Sequence, residues 1–134
     1  MLFKRVQLRD NAGLPQISRS SSGFLGNITP TAVATDAAVT MTVAQMAGGM
    51  VQYTGFSAGR AITTPTAALI LAQSPIMDIG DSFSIIVSIV PAFAGTWTAG
   101  TGVTLSGRAT TPASSWSIVT VTKTAAATVT WNVS

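Results

Sequence analysis

The chain has 134 residues, 47% of them hydrophobic and only 8% charged, with no cysteine, no histidine and no glutamate. Disulfides, thiolate metal sites and thiol nucleophiles are thereby excluded, and the commonest general base and metal ligand are missing, so the expectation is a protein that is not an enzyme and has no cofactor. One modest core is the natural size, and with about a quarter of residues charged in ordinary soluble domains, so uncharged a chain must cover its surface with Thr, Ser, Gly and Ala or with other subunits.

The charge is unevenly divided. Residues 1–30 hold Lys4, Arg5, Arg9 and Arg19 against Asp10 alone and account for the net charge of +3. Across residues 31–134, Arg60, Arg108 and Lys123 balance Asp36, Asp78 and Asp81. The first segment also contains Gly13, Pro15, a Ser-rich run over 18–23 and Pro30, with few periodic apolar positions. This predicts an extended basic N-terminal arm over 1–30 and a body over 31–134. Lys4, Arg5, Arg9 and Arg19 are the candidate partner-binding residues. Four phosphate contacts would give a salt slope of only about −3.6, too shallow for specific nucleic-acid recognition, and an acidic protein surface is an equally good partner. No apolar run of signal-peptide length follows Met1-Leu2-Phe3, so no export signal is expected.

In the body, β-branched residues alternate with polar ones between Gly and Pro punctuation. Val39, Met41 and Val43 alternate with Thr40 and Thr42, predicting a strand over 39–43, a helical turn over 44–47 and a break at Gly48-Gly49. Residues 50–54 resume as strand. Thr64-Pro65 has the form of an N-cap followed by proline at the first helical position, with a short helix over 66–73. Asp78-Ile79-Gly80-Asp81 brings two carboxylates together, but a calcium loop gathers six or more oxygens, so the expectation is a turn before a strand. That strand is the clearest one: Phe83, Ile85, Val87 and Ile89 line one face, and Ile86 and Val90 on the other predict burial on both sides. Residues 82–107 are free of charge, yet Pro91 and the glycines after it interrupt the apolar run too early for a membrane span.

Residues 95–102 have the look of a nucleotide-binding glycine loop but lack its third glycine and any following lysine, which leaves a hairpin or sheet-edge loop. Three further strands are expected over 101–106, 116–123 and 127–133. Many short strands with one or two short helical turns predict an all-β fold, an antiparallel β-sandwich or jelly-roll-like barrel, because parallel βαβ units need longer crossover helices. Trp116 and Trp131 are expected to pack in the core or at a subunit interface, whereas Trp97, in its Gly/Thr loop, is the candidate for an exposed platform.

Three segments carry a resemblance: Ala61-Ile62-Thr63-Thr64-Pro65-Thr66-Ala67-Ala68-Leu69, Ile79-Gly80-Asp81-Ser82-Phe83, and Ala99-Gly100-Thr101-Gly102-Val103-Thr104-Leu105-Ser106-Gly107. Together they resemble the T-x-P-T-A helix start, V/I-G-x-S-F strand start and A-G-T-G-x-T-L-x-G hairpin of small bacteriophage virion proteins similar to capsid decoration, or cement, proteins. The resemblance covers about residues 39–133. It implies a β-sandwich-like body that forms a homotrimer on the capsid surface of the virion and staples neighbouring capsomers, its partner being the major capsid protein. The basic arm lies outside the matched part. Extended at ~3.3 Å per residue, it reaches up to ~100 Å, enough to cross a subunit boundary. The alternative expectation is a tail-associated or receptor-binding module that recognises host surface glycans through Trp97.

Overall fold

The structure, a computed structural model, describes residues 28–134. Lys4, Arg5, Arg9 and Arg19, with the predicted arm up to residue 27, lie outside the described residues. Of the described residues, 49% are in strands and 10% in helices. In chain order the elements are β1 (Thr29–Val33), β2 (Val39–Thr40), α1 (Val43–Met46), β3 (Gly49–Tyr53), β4 (Arg60–Thr63), α2 (Ala67–Gln73), β5 (Ser82–Ile89), β6 (Gly95–Thr98), β7 (Val103–Gly107), β8 (Thr110–Thr111), β9 (Ser115–Ala125) and β10 (Thr128–Val133). β1 begins inside the segment that composition assigned to the arm.

The short helices are held by their caps. In α1 the Thr42 hydroxyl accepts from the Gln45 backbone N–H at 3.2 Å, and the Gln45 side chain accepts from the Thr42 N–H at 2.9 Å. For α2 the N-cap is Thr66, whose hydroxyl accepts from the Leu69 N–H at 3.3 Å. The expected cap, Thr64, is instead buried at the end of β4, where its hydroxyl accepts from the Gly100 N–H and donates to the Pro65 carbonyl, both at 2.9 Å.

The strands form two mixed sheets, one of six strands in the order β1-β3-β5-β9-β10-β7 and one of four in the order β2-β4-β6-β8. The expectation of antiparallel sheets is corrected here. β1, β3 and β5 are parallel neighbours, as are β2, β4 and β6, and β7 is parallel to β10; only the pairs β5/β9, β9/β10 and β6/β8 are antiparallel. A parallel pair requires the chain to return to its starting end. No long crossover helix is needed, because successive strands from β1 to β8 alternate between the sheets and each strand of one sheet serves as a return leg for the other. The segment 95–102 is consequently no hairpin: it carries β6 of one sheet across to β7 of the other. Its glycines serve that crossing. A Cβ at Gly100 would lie 2.6 Å from the Thr64 carbonyl oxygen, and Gly102 takes φ +80°.

Between the sheets lies one core in which Val51, Tyr53, Ile62, Val87, Val119, Val121 and Trp131 are fully buried, with Met46, Ala67 and Ile70 added by the helices. The Trp97 and Trp131 rings, from opposite sheets, meet with centroids 5.6 Å apart at 53°. A polar chain also spans the layers: the Trp97 indole N–H donates to the Thr111 hydroxyl, which donates to the Ser117 hydroxyl, each at 3.1 Å. At the outer edge of the six-stranded sheet, Thr29 and Val33 bond to β3 through the Gly48 carbonyl and the Thr54 N–H. By strand alternation the backbone of Pro30 and Ala32 therefore faces away from β3, and Pro30 has no N–H to offer there. Replacing Thr111 by Val is expected to strip the buried Trp97 N–H of its acceptor and lower stability by about 1–3 kcal/mol. An unchanged urea midpoint would contradict this.

Candidate functional site

Among the described residues, the four-stranded sheet covers one face of the six-stranded sheet and leaves the other open. Register defines what the open face presents. One row runs Ala32, Gln52, Ser88, Trp116, and the next Pro30, Met50, Ile86, Ile118. A third runs Ser84, Thr120, Asn132, Ser106, and a fourth Ser82, Thr122, Thr130, Thr104. None of these positions is charged. The face is thus divided along the strand direction into an apolar half and a hydroxyl half. In the latter, the Ser84 and Thr120 hydroxyls pair at 3.0 Å and the Asn132 amide donates to Ser106 at 3.5 Å.

Burial on both sides of the clearest strand is not observed. Ile85, Val87 and Ile89 are buried inward, whereas Ile86 is half-buried and Val90, just beyond the strand end, is 51% exposed. The apolar half is centred on Trp116, 60% exposed, and Ile118, 40% exposed.

Trp97 does not take the exposed position expected of it. Trp97 is buried, packed at a tilt against Trp131 and bonded to Thr111, so it presents no platform to a ligand. Trp116 is the exposed ring. The signal that locates it is parity: Val119 and Val121 point inward with Ser117, which places Trp116, Ile118, Thr120 and Thr122 outward. Trp131 packs as expected, though its indole nitrogen and the Tyr53 hydroxyl are buried without a hydrogen-bond partner. Burial pushes the Tyr53 phenol above its ordinary range, so it stays protonated.

The acidic groups are committed to loops. Asp36 accepts from the Ser57 backbone N–H at 2.9 Å and from the Ser57 hydroxyl, and from Arg60 Nε and a terminal guanidinium nitrogen at 3.0 and 2.8 Å. These bonds tie the β1–β2 loop to the start of β4. Asp81 folds the predicted turn, accepting from the backbone N–H groups of Met77 and Asp78 at 3.1 and 2.9 Å, and those bonds, with Lys123 nearby, hold its carboxyl below the usual range. Asp81 also rims a cleft of about 560 Å³ between α1, the end of α2 and the start of β5, floored by Val43, Met46, Ile76 and Phe83. Lys123 donates to the Met77 carbonyl at 2.7 Å.

Lys4, Arg5, Arg9 and Arg19 lie outside the described residues, so the face and these bases are not placed relative to one another. Among the described residues no helix is long and apolar enough to cross a membrane, and no group of three or more Asp or Glu side chains is placed to hold a metal. No protein-family model, no curated protein and no solved structure matches the chain.

Hydrogen bonds from Ser57, then the Arg60 guanidinium, lower the Asp36 pKa to about 2. An unfolded Asp titrates near about 3.9, so the stabilisation is fully present above that value and is lost as pH falls through about 2. Asp36→Asn is therefore expected to melt below wild type near neutral pH, with the gap closing in acid. A gap independent of pH would contradict the assignment.

Proposed function

We propose that this chain is a virion structural protein, a capsid decoration or cement protein that binds the outside of a phage head as a homotrimer and stabilises contacts between capsomers. The observation that carries this reading is the uncharged open face of the six-stranded sheet, with Trp116 and Ile118 exposed in its apolar half. Sheets rich in parallel strands normally have both faces covered, and exposed apolar surface rimmed by polar groups marks sites of protein association. The two facing sheets with one core between them are taken as a sandwich.

In this reading Lys4, Arg5, Arg9 and Arg19 form the electrostatic element, docking the arm on acidic patches of the major capsid protein, while the neutral body supplies apolar contact area. The alternative of a tail-associated glycan-binding module depended on Trp97, and the burial of that ring removes its platform.

The test is occupancy on purified heads. Reversing all four bases in the full chain (K4E, R5E, R9E, R19E) is expected to weaken attachment by about 4-fold to about 1,000-fold, since four exposed ion pairs at about 0.2–1 kcal/mol each supply that much. Wild-type attachment should weaken with added salt, because exposed charges are screened. Co-sedimentation with heads that is unaltered by the reversal would overturn the docking role, and failure of the wild type to bind heads would overturn the reading.

A further inference from the structure

We propose that the cleft between α1, the end of α2 and the start of β5 is the docking site of this chain's own residues 24–27, filled by the side chains of Phe24 and Leu25. The proposal concerns how the body holds the root of its N-terminal segment and does not depend on the capsid reading. Residues 24–27 lie outside the described residues, and three features of the cleft select them as its occupant.

The first feature is a free strand edge. β5 has eight residues, all of them paired with β9 from Ser82 to Ile89. On its other side β3 pairs only from Ile86 to Ile89. Among the described residues, no strand pairs with residues 82–84 on that side, and this edge opens into the cleft. Side chains of both parities accordingly line it, Phe83 and Ile85 from the core side and Ser82 and Ser84 from the open face. The unused backbone groups of such an edge are completed by another extended segment, so the ligand that fits is a peptide.

The second feature is position. The Thr29 N–H donates to the Gly48 carbonyl at 2.9 Å, and a Cβ on Gly48 would collide with the Thr29 carbonyl, so β1 starts pressed against the cleft wall at Ala47 and Gly49. β1 and β5 are two strand spacings apart, ~9.6 Å. Leu25 and Phe24, four and five residues before Thr29, reach up to ~13 and ~16 Å from it. Both side chains can therefore cross to the edge of β5.

The third feature is composition. The floor of Val43, Met46, Ile76 and Phe83 is apolar, and Phe24-Leu25 is an adjacent pair of large apolar side chains in a stretch, residues 20–28, that carries no charge. The cleft volume of about 560 Å³ falls within the roughly 300–1,000 Å³ of sites that enclose bulky apolar groups. A tether this short holds the segment at a roughly millimolar effective concentration, which favours it over free peptides and over the same segment of another copy.

The chain contains no cysteine, so introduced pairs report proximity cleanly. Ala44 lines the cleft on α1, whereas Thr104 on β7 lies at the opposite edge of the six-stranded sheet from β1, ~24 Å away at five strand spacings. In the full chain, a short bis-maleimide is expected to link L25C/A44C about tenfold faster or more than L25C/T104C, giving a product of single-chain mass. As a second readout, F24S/L25S is expected to keep the wild-type circular dichroism spectrum while its amides at residues 82–84 exchange about tenfold faster or more than in wild type. Equal linking rates for the two pairs overturn the proposal. So does a product of two-chain mass from L25C/A44C, which assigns the cleft to another copy's segment, and so does exchange at residues 82–84 that F24S/L25S leaves unaltered.

Discussion

A strand can lie parallel to its predecessor only if the chain is first carried back to the same end of the sheet, and in this protein the second sheet does the carrying. β2 returns the chain between β1 and β3, and β4 between β3 and β5. Because every return leg passes on one side, the apolar core collects there, and no element among the described residues covers the other face of the six-stranded sheet. The open face and the core are therefore two results of one constraint. In α/β proteins helices alternate between the faces of a parallel sheet; here the two short helices feed Met46, Ala67 and Ile70 into the core.

That arrangement places polar groups where they have to be satisfied locally. Trp97 would introduce an unpaired donor between the layers, and the Thr111–Ser117 pair absorbs it. The Asp36–Ser57–Arg60 cluster does comparable work at the surface, fixing one crossing loop against another with exposed groups that solvent screens. The charges of the described body thus serve its loops, and the broad surface is left to uncharged side chains.

Local signals in the sequence carried much of this. Alternation located β5, β9 and β10, the stretch 44–47 ahead of the Gly48-Gly49 break marked α1, and the T-P-T segment marked α2 to within two residues. Pairing was not legible, because partners are joined through the other sheet at unequal spacings: Thr29 meets Gly49, but Met50 meets Ile86. No fixed repeat announces such coils. The site was half legible. The shortage of charge pointed to contact surfaces, but the Gly/Thr setting of Trp97 drew attention from Trp116, whose exposure follows from the parity of Val119 and Val121 two and four residues beyond Ser117. Ile118, apolar yet outward, blurred that parity.

Pro30 has a consequence for the geometry of growth. Open sheet edges are templates for adding strands, and strands added edge to edge give filaments without a natural end. On the outward edge of β1 a proline removes the donor that an incoming strand would need, so extension at that edge is unfavourable. At that edge the fold thereby disfavours fibres built by strand addition.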